Sequence, residues 1–344
     1  MVDKHTLLDS LPIALLLLGT RDRIEYASPA AGELLGPGLA GGTFTSFFRN
    51  PNCLTALAEV RRDRVARSVS VSRYVNNAET FLTLDFRPYG ADGRIAVLLQ
   101  DETPARQVSQ RQRDFVANVS HELRTPLTAI MGYLETLMGP ARNDPIAQER
   151  FLSTMLIESE RMKRLIDDLL TLSRVQSQER QRPQERVDLS EIIDRAAALQ
   201  KTRAGAMGVS INIVPCEAPA IIRGDADQLT QVFSNLLENA VKYGAHPGQV
   251  RVRMVLQDKD PILRLPVVVV LVCDDGQGIE SHHIARLTER FYRIDTHRSR
   301  EMGGTGLGLA IVKHIMNRHH GRLVIQSTPG QGSCFSAIFP LEGS

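Results

Sequence analysis

The rhythm of apolar and polar positions changes twice along the 344 residues, and each change marks a different kind of element. Up to about residue 103, short apolar runs alternate with turns. Ala14 to Leu18 reads as a strand broken by Gly19 and the charged Arg21 to Arg23, and Ile24 to Tyr26 as a second. Ser28-Pro29 opens a short helix to Leu35, since a serine hydroxyl caps free N–H groups and proline fits the first helical position. Val69 to Val75, Phe81 to Phe86 and Ile95 to Leu99 are further strands, with a hairpin turn at Ala91-Asp-Gly93 before the last.

After Asp101 to Pro104 the period lengthens. A charged helix, Arg106 to Asp114, leads to one in which Val116, Val119, Leu123, Leu127, Ile130, Leu134 and Leu137 recur every three or four positions. Gly139-Pro140 stops it, Ala141 to Asp144 is a polar turn, and Pro145 starts a second helix. There Met155, Met162 and Leu169 lie seven apart, as do Leu165 and Leu172, which are seam positions of a helical hairpin. Two helices cannot bury such a stripe alone, so a four-helix bundle made with a second copy is expected.

The polar run Ser173 to Glu185 reads as the next boundary. From about 187 to 342 helix and strand mix. Val187 opens a helix, Val209 to Val214 and Ala220 to Arg223 are strands, and Asp227 to Tyr243 is a helix. Val250 to Leu256 and Val267 to Cys273 are strands, Gly308 to His320 is a helix, and Leu323 to Gln326 and Ser333 to Phe339 close a sheet. Three domains are expected, at 1–103, 104–180 and 186–342.

Composition adds exclusions. A formal net charge of +2 gives no reason to invoke nucleic acid. The longest apolar runs, Ile13 to Leu18 and Val267 to Cys273, fall far short of the ~20 residues that span a bilayer. A soluble, cytoplasmic protein is expected, touching membrane only through an anchor that was removed or through another protein. Cysteines at 53, 216, 273 and 334 form no CxxC pair and no disulfide framework, which reads as a reducing cytosol.

Chemistry concentrates in five places. His121 falls on the side of its helix away from the apolar stripe, directly before Glu122. Asn235, Asn239, Lys242 and Tyr243 share one helix face at i, i+4, i+7 and i+8; alone, this reads as a solvated face. Asparagine carbonyls are hard oxygen ligands suited to Mg²⁺, and a lysine meets phosphate as a point charge. Asp274-Asp-Gly276-Gln-Gly278-Ile279 ends a buried strand; its carboxylate can accept from an amino group and its glycines let backbone approach a ligand. In Arg290 to Asp295, Phe291 would pack the base of a mobile loop and Arg293 approach phosphate, with a flexible lid at 296–302. Gly303-Gly304-Thr305-Gly306-Leu307-Gly308 runs into a helix, where free N–H groups and the helix dipole favour phosphate. It is neither a Walker A loop, lacking Gly-Lys-Ser/Thr, nor a dinucleotide fingerprint, lacking a preceding strand.

Phe115 to Leu127 resembles the phospho-acceptor box of sensor histidine kinases, and the later motifs, in this order, resemble the ATP-binding domain of histidine kinases, gyrase-type ATPases and Hsp90-type chaperones. Asp275 stands where that family often has asparagine. The order of strands and helices before residue 103 looks like a PAS domain. The resemblance implies an α+β multidomain fold: a PAS-like α/β domain, a helical-hairpin dimerisation domain, and a C-terminal α/β-sandwich ATP-binding domain. It implies ATP and Mg²⁺ as cofactors, Asn239 as the metal residue, Asp274 reading adenine, and Gly304, Thr305, Gly306, Leu307 and Gly308 over the phosphates. It implies phosphoryl transfer to His121, with Glu122 accepting from Nδ1–H, and onward transfer to an aspartate of a separate response regulator with a receiver domain.

Glu122-Leu-Arg-Thr125 also resembles the Glu-x-x-Thr element of kinases that dephosphorylate their regulators, Thr125 orienting water. Pro126 removes a backbone donor and should kink or loosen the helix there. Arg49-Asn-Pro51 and Glu135 to Pro140 resemble the phosphate-regulon branch of the family. Other classes remain in view. The intact histidine box argues against a chaperone- or topoisomerase-like ATPase, and the unbroken ATP motifs argue against a silent scaffold. The PAS-like part lacks a cysteine or histidine arrangement for haem or flavin, so a partner-binding or dimerising role is expected of it.

Overall fold

The computed structural model describes residues 4–75, 78–90, 92–179, 181–214, 216, 218–294 and 304–341. Ala91 of the expected hairpin turn, Asp295, Gly303 and the expected lid at 296–302 lie outside the described residues. The chain divides into two compact units, Met1–Ala117 and Asn118–Ser344. Among the described residues no helix is long and apolar enough to cross a membrane.

The first unit contains α1 (Lys4–Asp9), β1 (Ala14–Leu18), β2 (Ile24–Ala27), α2 (Pro29–Leu35), α3 (Phe44–Phe47), α4 (Pro51–Asp63), β3 (Arg67–Val75), β4 (Ala78–Tyr89) and β5 (Arg94–Asp101). Its antiparallel sheet has the order β2-β1-β5-β4-β3, with α2, α3 and α4 inserted between its second and third strands, the order that the sequence pattern predicts. Strand alternation sends Leu16, Leu18, Leu82, Leu84, Phe86, Ile95 and Val97 to one face, where they meet Phe44, Leu57 and Val60 in a buried core. Ser28 accepts from Ala31 N at 3.3 Å, capping α2, and Asn50 accepts from Asn52 N at 2.9 Å, capping α4. Arg49-Asn-Pro51 therefore includes a helix-start signal.

The second unit begins within α5 (Thr103–Met138), a single helix that merges the charged segment with the histidine segment and continues through Pro126. Asp144 caps α6 (Pro145–Gln178) by accepting from Ile146 N and Ala147 N, and the Tyr133 and Phe151 rings stack at 5.2 Å across the hairpin. Ser173 to Glu185, where a boundary is expected, spans the end of α6 and the residues that follow it. Val175 is buried in α6, Glu179 accepts from Asn317 Nδ2 at 2.9 Å, and Arg318 donates to Gln181 O at 3.0 Å. The run is polar and meets polar partners.

After it come β6 (Arg186–Asp188), α7 (Leu189–Ala206), β7 (Val209–Val214), β8 (Ile221–Arg223), α8 (Ala226–Tyr243), β9 (Gly248–Gln257), β10 (Val267–Cys273), α9 (Ser281–Ile284), α10 (Gly308–Arg318), β11 (Arg322–Ser327) and β12 (Ser333–Pro340). Val187 lies in β6, paired with Ile222 of β8, so the helix starts two residues later than expected, capped by Asp188. The main sheet runs β11-β12-β10-β9-β7, with β7 parallel to β9 and the other pairs antiparallel. Against it lies a helical layer in which Leu229, Val232, Phe233, Leu236 and Leu237 of α8 are wholly buried, giving an α/β sandwich. The expectation that the cysteines form no framework is also corrected: Cys273 and Cys334 face each other across β10 and β12 as a disulfide. They are 61 residues apart in sequence, and only strand register brings them together.

Candidate functional site

α8 is amphipathic, and its buried stripe turns Asn235 and Asn239 onto the opposite, half-buried face. Asn235 donates to Gly308 O at 3.1 Å and accepts from Gln231 at 3.1 Å, so it ties the helix to the glycine loop. Lys242 is only 5% exposed and lies 2.6 Å from Glu238, which Arg203 also meets at 3.0 Å. Burial pulls the Lys242 ammonium down from its ordinary value, with Glu238 opposing. Tyr243, at the helix end, is exposed.

Asp274 follows β10 and is buried; its Oδ1 accepts from Gly276 N at 3.0 Å and Ser333 N at 3.3 Å. Burial raises its pKa, with those two N–H donors opposing. The neighbouring carboxylate has different work: Asp275 accepts from Ala245 N at 3.3 Å and Gln249 N at 3.0 Å, bracing the turn after α8. Gly276 packs on the Tyr243 carbonyl, bringing the strand end against the end of α8. Gly278 has φ +71° and would set a Cβ 2.0 Å from Thr328 O, so no side chain fits there.

Gly306 has φ +72°, and a Cβ would stand 2.9 Å from Phe291 Cα. Phe291 N donates to Gly306 O at 2.8 Å, so Phe291 packs the base of the glycine loop. Gly304 and Thr305 are half-buried, Leu307 is fully buried at the start of α10, and Gly308 begins that helix. Thr305 Oγ1 accepts from Leu307 N at 3.3 Å and donates to Asp168 Oδ2 on α6 at 2.6 Å. Burial raises the pKa of Asp168, with the Thr305 bond opposing.

On α5, His121 is exposed and Glu122 is half-buried. The Glu122 carboxylate accepts from Arg161 at 3.3 Å and from Arg293 at 3.1 Å. Arg293 is 6% exposed, with its Nε beside Gly306, so it bridges the glycine loop to Glu122. Thr125 donates to His121 O at 3.2 Å, within its own helix.

The structure thus gathers Asn235, Arg293 and the Gly304–Gly308 loop, sets Asp274, Gly276 and Gly278 at the far end of α8, and joins the first group to the residue beside His121. The His121 ring itself contacts none of these residues through a described hydrogen bond. Asp168, Arg161 and Glu238 were missed by sequence reasoning. Asp168 and Arg161 lie in the charged stretch Glu158 to Asp168 and Glu238 on the polar face of α8, and only contacts with residues distant in sequence single them out.

Two family models match: "His Kinase A (phospho-acceptor) domain" over residues 111–178, and "Histidine kinase-, DNA gyrase B-, and HSP90-like ATPase" over 224–343. The phosphate regulon sensor protein PhoR of Pseudomonas aeruginosa is 35% identical over 332 residues, 95% of this chain and 71% of that protein. The sensor protein kinase WalK of Staphylococcus saprophyticus is 40% identical over 251 residues, 73% of this chain and 40% of that protein. The solved histidine kinase ThkA, in complex with response regulator protein TrrA, is similar in fold with a TM-score of 0.52 and 17% identity, covering 98% of both chains. An ATP-binding sandwich beside a phospho-acceptor helix defines a phosphotransfer enzyme. The chain belongs to the sensor histidine kinases of two-component systems and is a protein-histidine kinase.

Proposed function

We propose that the chain transfers the γ-phosphoryl group of Mg-ATP to His121 Nε2 and then to an aspartate in the receiver domain of a separate, cytosolic response regulator. The observation that carries this reading is the double link between histidine hairpin and nucleotide motifs, Glu122 with Arg293 and Asp168 with Thr305. These pairs bind the acceptor's neighbour to the loop proposed to cover the phosphates.

In the transfer, Glu122 accepts a hydrogen bond from His121 Nδ1–H and leaves Nε2 with its lone pair. The Nε2–P bond forms as the bond from phosphorus to the ADP oxygen breaks. Alignment and charge neutralisation do most of the work. Asp274 takes the adenine amino group, Gly276 and Gly278 let the ring approach, and Tyr243 flanks the pocket. Lys242 and the N–H groups of Gly304 to Gly308 serve the phosphates. Asn239 fits Mg²⁺ as a hard amide oxygen on the half-buried polar face of α8, one turn from the asparagine that holds the glycine loop. The ion would neutralise phosphate charge.

In this conformation Arg161 and Arg293 share Glu122 Oε2. We infer a second activity in the same site, dephosphorylation of the regulator, with Thr125 orienting water. The proposed division of labour is 1–103 for a PAS-like sensing or dimerising domain, 104–180 for a homodimeric phosphotransfer hairpin and 186–342 for ATP. Phosphate-responsive signalling is supported by the match to PhoR, which extends over 95% of the chain and so includes most of the first unit.

Incubation of the protein with Mg²⁺ and γ-labelled ATP, beside His121→Ala, tests the reading. Acid-labile, alkali-stable label on the wild type alone is expected. Label on both proteins would move the acceptor elsewhere.

A further inference from the structure

The segment between the two nucleotide glycine motifs carries a cluster that the transfer reaction leaves unused. Glu280, His282 and His283 each present a donor atom, and the three atoms lie within 4.8 Å of one another. We propose that these residues form a binding site for a divalent transition-metal ion of the Zn²⁺ class, separate from the Mg²⁺ that accompanies ATP.

Glu280 Oε2 and His282 Nδ1 are already 3.3 Å apart. Two ligands at ~2.0–2.1 Å from a tetrahedral zinc ion stand about that far from each other. Both side chains are about two-thirds exposed, at 68% and 65%, so they can close on an ion without moving the backbone. His283 is half-buried and its ring centroid is 3.8 Å from that of His282.

The third ligand is oriented from behind. His283 Nδ1 lies 2.5 Å from the Tyr292 hydroxyl, leaving Nε2 as the atom to meet a metal. A metal-ligating imidazole characteristically uses its other nitrogen in this way, which fixes tautomer and ring plane. Tyr292 is itself held by the Arg286 guanidinium, 4.3 Å from its ring centroid. Two imidazoles and one carboxylate suit Zn²⁺, Ni²⁺ or Cu²⁺, whereas Mg²⁺ prefers all-oxygen shells. Three protein ligands leave the remaining positions to water. An ion here would brace α9 against Tyr292, next to Phe291, whose N–H bonds the glycine loop.

The test titrates Zn²⁺ into the metal-stripped, nucleotide-free full chain by calorimetry, with Co²⁺ absorption reporting coordination. One ion per chain at micromolar or tighter affinity is expected, with Co²⁺ bands of four- or five-coordinate character. His282→Ala, at an exposed position, should weaken binding at least tenfold without changing the melting temperature of the metal-free chain, and adding His283→Ala should weaken binding further. Tyr292→Phe should weaken it about tenfold, the effect of losing an orienting partner. Millimolar binding by the wild type, or unchanged affinity in the double variant, would overturn the site.

Discussion

Two adjacent carboxylates make different contacts, and the proposed function gives them different tasks. Asp274 is buried with one oxygen committed to Gly276 and Ser333 N–H groups, while both oxygens of Asp275 brace backbone at Ala245 and Gln249. Asp274→Ala should weaken binding of a fluorescent ATP analogue by about 10–100-fold, the ~1.5–3 kcal/mol of a hydrogen bond to a charged group. Asp275→Ala should lower the melting temperature and leave affinity within a few-fold; equal affinity losses in both would contradict the assignment. Gly306 makes a third test. Alanine there meets the cost of positive φ, about 1–2 kcal/mol, and a Phe291 backbone 2.9 Å away. Gly306→Ala should therefore lose nucleotide affinity at least tenfold, and an unchanged analogue titration would remove the loop from the site.

Elements were legible in the sequence wherever the hydrophobic period was strong and long. The strands Val209–Val214 and Val267–Cys273 and the helix ending at Tyr243 lie where alternation, an all-apolar run and a polar face put them. What stayed hidden depended on neighbours distant in sequence. The partners of Ser173 to Glu185, Asn317 and Arg318, come from a helix more than a hundred residues later. Asp168 has no local signal, and only Thr305, placed against it by the fold, singles it out. Arg293 pairs with Glu122 in this conformation, a contact with no local signature.

His319 belongs to the same class. It is buried at the end of α10, its Nδ1–H donating to Ile315 O at 2.8 Å and its Nε2 accepting from Asp225 N at 3.0 Å, at the cap of α8. Burial holds its pKa below the ordinary value, so the neutral ring is the native form, with the Ile315 hydrogen bond and Asp225 opposing and Arg318 and Arg182 reinforcing the shift. The unfolded chain takes up a proton near pH 6.5 that the folded chain refuses. Stability from this group is therefore complete above that pH and is lost as pH falls through it. Thermal denaturation between pH 7 and 5 should show the loss. His319→Gln, with an amide that both donates and accepts but has no proton to gain, should flatten it; an identical slope in the variant would rule His319 out as its source.

At the scale of the molecule, the hairpin is incomplete as one chain. Leu165 and Leu172 are buried, yet Leu127, Met131 and Leu134 of α5 and Leu156, Ile166 and Leu170 of α6 are 43–62% exposed. A helix pair of this length cannot cover both its seam and its outer stripe, and each leucine brought out of water contributes about 1.5–3 kcal/mol. A second copy, carrying the same stripe, can cover it around a twofold axis. Sedimentation of the full chain should show a dimer at micromolar concentration. Leu156→Glu combined with Leu170→Glu should shift it to monomer, because each charge would have to enter the shared core. Both positions are exposed in the single chain, so the substitutions should leave helix content by circular dichroism intact. A wild type that sediments as monomer, or a variant that stays dimeric, would mean that these residues only face solvent.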